Sequence, residues 1–118
     1  MVAPDVLLTA ANCHKIFKEG KSVIVGAYKV RSIVSGGKIV KIAQAVTHHH
    51  YKSMKNDMML LHIMPNIMMY KPVQFNFLTS KPSSTDKMKI IGFGLTSNEG
   101  SMPKKLQWTP VPLVPVSQ

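Results

Sequence analysis

The 118-residue sequence has little cysteine and no long apolar run. Its one cysteine, Cys13, excludes an internal disulfide. No apolar run approaches the ~18 residues that a membrane-spanning helix needs, so we expect no transmembrane segment. The residues before Val6 contain no basic cluster, and the apolar stretch that follows is too short for a signal peptide. The chain therefore shows no targeting signal of its own.

Acidic residues and arginine are also scarce. The sequence has 5 acidic and 15 basic residues, which gives a net charge of +10, and all the basic residues except Arg31 are lysines. This charge attracts polyanions, but specific reading of bases relies on arginine. The lysines are scattered, and Lys104-Lys105 is their one adjacent pair. We therefore favour a solvated lysine surface over a specific nucleic-acid site. A small basic module that binds polyanions is kept as an alternative.

The pattern of apolar residues predicts strands, and no segment carries a helical apolar stripe over three turns. Apolar residues make up 45% of the chain, as in a globular domain. One predicted strand places Val40, Ile42 and Val46 on a single alternating face. The predicted strands are Ser22–Gly26, Ile39–Thr47, Met58–Ile63 and Lys89–Phe93. Short strands separated by turns indicate an all-β barrel or sandwich.

The segments between these strands have the composition of turns and loops. Ser35-Gly36-Gly37 is typical of a hairpin loop, and polar loops are predicted at Lys81–Asp86 and Ser97–Ser101. The tail Thr109–Pro115 has repeated prolines, which confine it to a sheet edge or an irregular path.

Three segments resemble motifs of one protein family. The first, Leu8-Thr9-Ala10-Ala11-Asn12-Cys13, is similar to a leucine-threonine-alanine-alanine-histidine-cysteine motif. The second is His48-His49-His50-Tyr51 followed by Asn56-Asp57-Met58-Met59-Leu60-Leu61. It is similar to a histidine-proline-any-tyrosine motif and an asparagine-aspartate-isoleucine-alanine-leucine-leucine motif. The third, Ile91-Gly92-Phe93-Gly94 with Leu106-Gln107 and Val111-Pro112, is similar to a glycine-tryptophan-glycine strand and the segment after it. In this order and spacing the motifs are those of trypsin/chymotrypsin-like serine proteases.

The resemblance implies an antiparallel β-barrel fold, since such proteases consist of two barrels with the active site between them. It implies that residues 1–80 form most of the first barrel, without its first strand. Residues 81–118 would form the linker and the first strand of the second barrel. It also implies that the usual disulfide partner of Cys13 belongs before Met1. The serine nucleophile would belong after Gln118.

The resemblance also assigns roles to two residues and implies that the chain is not an enzyme as it stands. Asp57 matches the aspartate of the catalytic triad, and Asn12 stands at the position of the triad histidine. An asparagine amide does not titrate near neutral pH and cannot shuttle the serine proton. His14 lies two residues on and is expected to point elsewhere. We expect Asp57 to be vestigial and hydrogen-bonded to Asn12 as a buried polar group.

Histidines and methionines raise the alternative of a metal site. The run His48–His50, with His62, offers nitrogen ligands, but adjacent residues point in different directions and rarely chelate one ion. The methionines offer thioether ligands that copper(I) favours, although core filling is their commoner role; those near His62 are Met58, Met59, Met64, Met68 and Met69. We expect no metal and no cofactor.

The favoured interpretation is a non-catalytic homologue or fragment of a trypsin-like endopeptidase that acts by protein binding. A protease, an inhibitor or a substrate would be the partner. The alternatives are a partial gene product without its own function and the small basic module that binds polyanions or metal. The resemblance implies a secreted protein. The sequence gives no signal for the oligomeric state.

Overall fold

The computed structural model describes residues 1–30, 36–79, 82–83 and 85–114, and in these residues the fold is all-β. One short 3-10 helix, Ala11–Lys15, accompanies six strands. The strands are β1 (Val6–Thr9), β2 (Ser22–Val25), β3 (Lys38–Thr47), β4 (Met59–Met64), β5 (Met88–Gly92) and β6 (Gln107–Val111). Within these ranges no helix is long and apolar enough to span a membrane.

Four of the six β-strands lie in or near the segments that the sequence pattern selected, and β1 and β6 were missed by that pattern. Strand β2 covers most of the predicted Ser22–Gly26, and β4 and β5 begin within one residue of their predicted starts. Strand β1 escaped prediction because it has only four residues, Val6–Thr9, with no polar alternation. The predicted hairpin loop begins at Ser35, which lies outside the described residues.

The chain forms two compact units. The first comprises Met1–Gly26 and Gly37–Gln74, and the second comprises Ala27–Gly36 and Phe75–Gln118. Each unit contains one sheet. The sheet of the first unit has four strands in the order β1-β4-β3-β2, and all neighbouring pairs are antiparallel. The sheet of the second unit is the antiparallel pair β5-β6.

A β-bulge in the long strand β3 overturns one expectation from the sequence. The register with β4 shifts between Ile42 and Gln44, so two residues of β3 occupy the space of one. Side chains after the bulge therefore change faces. Val40 and Ile42 are buried as predicted, but Val46 is 49% exposed and Ala45 packs against the core instead. The predicted common face of Val40, Ile42 and Val46 is wrong at Val46.

The core of the first unit lies on one face of its sheet. Alternating residues of β4 provide its centre, with Met59, Leu61 and Ile63 at 2% exposure or less. Ala11 is fully buried against Ile42, Met59 and Leu61, which fixes the 3-10 helix to the sheet. The small side chain of alanine permits this close approach of the helix backbone.

The second unit is a two-stranded sheet with exposed apolar residues. Ile91 pairs with Trp108, whose ring also receives Lys89 Nζ at 4.4 Å from its centroid. Pro110 pairs with Lys89 in β6, where both strands are sheet edges, as expected for a strand that contains proline. The segment Ser97–Ser101 has no strand structure and closes a turn in which the N–H of Gly100 donates to the carbonyl of Ser97 at 3.1 Å.

Candidate active site

The 3-10 helix that follows β1 positions Asn12. Its first residue, Ala11, is buried in the core, so the next residue projects away from the core and is exposed. Asn12 is the second residue of this short helical turn. The side chain of Asn12 donates from Nδ2 to Met54 Sδ at 3.9 Å, and its Oδ1 accepts from Cys13 Sγ at 3.2 Å.

Asp57 lies beside this helix, two residues before β4. Its Oδ1 accepts a hydrogen bond from the backbone N–H of Asn12 at 2.7 Å, across 45 residues of chain. The structure thus brings together the two site residues that the sequence selected. A carboxylate that accepts from a helix N–H satisfies one of the helix's unpaired donors.

The contact differs from the expected one in two respects. The expected hydrogen bond joins the side chains of Asp57 and Asn12, whereas the observed donor is the main chain of Asn12. The pair is also not buried, since Asn12 is exposed and Asp57 is partly buried. The bond therefore depends on the backbone of the helix and not on the identity of the side chain at position 12.

The side chain of His14 makes its hydrogen bond within its own helical turn and not to Asp57. Its Nδ1 lies 3.0 Å from the carbonyl oxygen of Ala11, which makes Nδ1 the donor of this hydrogen bond. The ring is thus engaged with its own helical turn. In the described residues the hydrogen-bond partner of the Asp57 carboxylate is the backbone N–H of Asn12, and no imidazole bonds it.

The connection between β3 and β4 forms the other side of the site and is tightly turned. Ser53, Met54 and Asn56 have positive φ angles of 48°, 68° and 52°, a conformation that is uncommon for residues other than glycine. The side chain of Asn56 holds this turn by donating to the carbonyl of His50 at 3.2 Å. Positive φ angles in non-glycine residues often cluster at functional sites. This turn brings Met54 to Asn12.

The sequence analysis gave Met54 and Asn56 no role. Met54 is one of nine methionines in the sequence, and a contact between a thioether and an amide 42 residues away has no local sequence signal. Asn56 has such a signal, since it directly precedes Asp57 in a matched motif. An asparagine in a loop is favourable for left-handed backbone and for side-chain bonds to nearby main chain.

The histidine run packs against itself. The rings of His48 and His49 stack with centroids 4.9 Å apart, and those of His49 and His50 lie 3.9 Å apart. His62 is engaged elsewhere, with Nε2 at 3.0 Å from Asp5 Oδ2. Over the described ranges no three histidine, cysteine, aspartate or glutamate side chains converge as a metal-binding group.

The methionines near His62 do not form a cluster of ligands. Met59 is 1% exposed and belongs to the core, which is the commoner role of methionine. The others are exposed on the surface: Met58, Met64, Met68 and Met69. Cys13 is a free, partly buried thiol.

Together, the curled antiparallel sheet, the short helix after β1 and the aspartate beside it define the class of trypsin-like serine protease folds. The family model described as Trypsin matches residues 1–118. The chain belongs to the trypsin family.

Similar proteins agree with this assignment. Trypsin alpha-4 of Lucilia cuprina is 28% identical over 116 residues, a match that covers 92% of this chain and 43% of that protein. Neuropsin, a serine protease expressed in the limbic system of mouse brain, superposes with a TM-score of 0.77 at 27% identity, over 93% of this chain and 50% of its own. The solved structure of GrC gives a TM-score of 0.79 at 24% identity, over 93% of this chain and 49% of its own, and shows the fold. The chain thus spans about half the length of these relatives.

Proposed function

We propose that the chain is a non-catalytic homologue of trypsin-like serine endopeptidases that acts by binding proteins. The observation that carries the proposal is the partner of Asp57. In the triad mechanism the aspartate orients an imidazole, which takes the proton of the serine and returns it to the leaving amine. In the described residues no imidazole bonds the carboxylate of Asp57, and Asn12, which stands at the histidine position, donates to it only a backbone N–H.

The chemistry of asparagine supports this proposal. Its amide has no ionisation near neutral pH, so it cannot act as a general base towards a hydroxyl. The neighbouring imidazole of His14 bonds the carbonyl of Ala11 and does not replace the missing base. We therefore interpret Asp57 as a vestigial triad residue with a structural role and Asn12 as a non-functional residue at the histidine position.

The proposal keeps the domain organisation implied by the resemblance. Residues 1–80 would correspond to most of a first barrel, and residues 81–118 to a linker and the first strand of a second. A protease, an inhibitor or a substrate protein would be the partner, in a secreted setting. The similarity to Trypsin alpha-4 and neuropsin supports these choices, because proteases of this family meet such proteins.

The test compares the purified chain with the variant Asn12→His. Hydrolysis of fluorogenic peptides and labelling by a fluorophosphonate, which reacts with activated serines, would be measured for both. We expect no activity in either form of the 118-residue chain, since the 118 residues contain no glycine-aspartate-serine-glycine motif. Peptide hydrolysis by the unmodified chain, abolished by Asp57→Ala, would contradict the proposal.

The natural protein gives a second test of the role of Asn12. If it carries a serine nucleophile, restoring the histidine should raise its peptidase activity by about a thousandfold or more, because loss of one triad member costs at least that factor. A natural protein that cleaves peptides efficiently with asparagine at position 12 would show that another group acts as the base.

The alternative of a partial protease homologue rests on the coverage of the relatives, of which the chain spans 43–50%. Intact mass and N-terminal sequencing of the natural protein distinguish the two cases. A mass near 13.1 kDa favours an independent short protein. A mass of about twice that value, as expected from a chain spanning half of each relative, favours a part of a two-barrel protein.

A further inference from the structure

An open groove lies in the first unit where β3 begins and where the chain leaves β4. It has a volume of about 290 Å³ and is lined by Lys38–Val40 and Pro65–Met69. We call it the methionine groove, because Met68 and Met69 line it. The volume is at the lower end of the range of small-molecule sites, about 300–1,000 Å³, and suits a few apolar side chains.

The groove has a fixed floor and adaptable walls. Val40 and Ile67 form the floor and are 3% and 4% exposed, packed with Ile63 in one core cluster. Met68 and Met69 in the wall are 78% and 66% exposed. Methionine side chains are flexible and polarizable, and surfaces rich in exposed methionine bind apolar peptide side chains of varied shape.

Exposed apolar residues extend the groove across the outer face of the sheet. Ile39, which lines the groove, is 55% exposed and lies directly opposite Ile24 of β2. Met64, at the end of β4, is 60% exposed and lies opposite Lys41. A contiguous exposed apolar surface of this kind is typical of an interaction site.

The charges around the groove are positive and uncompensated. Lys38 lines it, Lys41 lies beside Met64, and Lys71 follows two residues after Met69. No ion pair in the described part of the chain includes these lysines, and no acidic residue lines the groove. The first unit as a whole contains eight lysines and three acidic residues. Asp5 pairs with His62 and Asp57 with Asn12, so two of the three acids are engaged.

We propose that the methionine groove binds a segment of a partner protein in which apolar side chains are flanked by acidic residues. This inference rests on the proposed function, since it names the surface through which a non-catalytic chain would act. The apolar anchors would cover Ile39 and Met69, and the carboxylates would meet Lys38 and Lys41. Complementary charge would fix the register of the segment and speed its association.

The positive charge of the first unit also bears on the other molecules that could occupy the groove. A second copy of the chain would bring two positive surfaces together, which costs free energy. A nucleic acid would match the lysines but would leave the exposed methionines and Ile39 in water. An anionic membrane would satisfy both features and is therefore included in the experiment.

The first experiment uses a short fluorescein-labelled peptide that contains two leucines flanked by glutamates. Fluorescence anisotropy measures its binding to the full chain. We expect Lys38→Glu to weaken binding by about tenfold. The double change Met68→Ala with Met69→Ala should weaken it by about fivefold, through lost apolar burial. The dissociation constant should also rise with salt between about 0.05 and 0.3 M.

Matched controls come from the second unit. Met102 has the same exposure as Met69, 66%, and Lys87 is an exposed lysine outside the groove. Met102→Ala and Lys87→Glu should leave the dissociation constant within about twofold, as for surface changes outside a binding site. Peptides with lysine in place of glutamate, or serine in place of leucine, should not bind. Equal losses in the control variants, or equal binding of the control peptides, would overturn the proposal.

A second measurement needs no variant and therefore does not depend on their folding. Mild peroxide oxidation of the wild-type chain, read by mass spectrometry, should be slowed by the peptide at Met68 and Met69 but not at Met102. Protection of none of them overturns the proposal. Binding to phosphatidylserine vesicles without binding to the peptide would assign the groove to a lipid surface and also overturns it. If the chain neither binds the peptide nor cleaves peptide bonds, the proposed role of the methionine groove is wrong and the proposed function stands. If the chain cleaves peptide bonds, the proposed function itself is wrong.

Discussion

At the scale of single residues, the contact between Asp57 and Asn12 is a structural bond that does not use the side chain of Asn12. The carboxylate remains beside the helix and bonds its backbone N–H. A histidine ring is absent from position 12, so the carboxylate has no general base to orient there. This hydrogen bond ties the segment before β4 to the helix after β1.

This role predicts a graded loss of stability on substitution of Asp57. Asp57→Ala removes the acceptor and should lower the free energy of unfolding by about 1 kcal/mol, a typical value for a partly exposed hydrogen bond. Asp57→Asn keeps an oxygen acceptor and should cost less. Urea denaturation followed by circular dichroism measures both. Equal stability of the two variants and the wild type would show that the bond contributes nothing.

At this scale the sequence predicted which residues lie together, but it did not predict which atoms make the contacts. Motif spacing correctly placed Asn12 and Asp57 together, because the order of the motifs is a property of the whole fold. It did not identify the backbone donor or the Met54 contact, since neither depends on a recognisable side-chain pattern. Local geometry such as the left-handed turn at Ser53–Asn56 is set by the tertiary structure.

At the scale of elements, β3 shows how one bulge changes the meaning of a sequence pattern. Alternation correctly predicts that Val40 and Ile42 face the core, because it has a period of two along an unbroken strand. The register shift after Ile42 moves the later residues to the opposite face, and so Val46 is exposed. No residue type in this segment indicates a β-bulge, so the apolar pattern alone could not predict it.

The bulge makes a prediction about two similar residues of one strand. Ile42→Ala should destabilise the chain by about 2–4 kcal/mol, because Ile42 is 1% exposed and its removal leaves a cavity. Val46→Ala should cost less than about 1 kcal/mol, because Val46 is half exposed. Chemical denaturation of both variants in parallel measures the difference. A larger loss at Val46 than at Ile42 would show that the register is wrong.

At the scale of the whole molecule, the family could be identified from sequence because three motifs occur in the right order over nearly the whole chain. The match of the trypsin family model to residues 1–118 confirms the family, and the similarity to solved structures confirms the fold. The boundary at residue 80 stays a prediction. The grouping of Ala27–Gly36 with the later part of the chain could not be predicted, because contacts that are distant in sequence decide it.

The net charge of +10 provides a test of the polyanion alternative. A dispersed lysine surface should be retained on heparin at about 0.05 M salt and released by about 0.3 M, because screening shortens the range of its attraction. Acetylation of the lysines should abolish retention. Retention that persists to about 1 M would indicate an organised polyanion site and would favour the alternative.

The backbone origin of the bond to Asp57 has a consequence for the history of position 12. Any residue with an amide hydrogen can donate that bond, so the bond does not depend on the side chain there, and proline is the residue type that would break it. Selection for the fold and selection for catalysis are thus uncoupled at this position. A lineage can lose its histidine without losing the structure, and the protein that remains is free to be retained for what it binds.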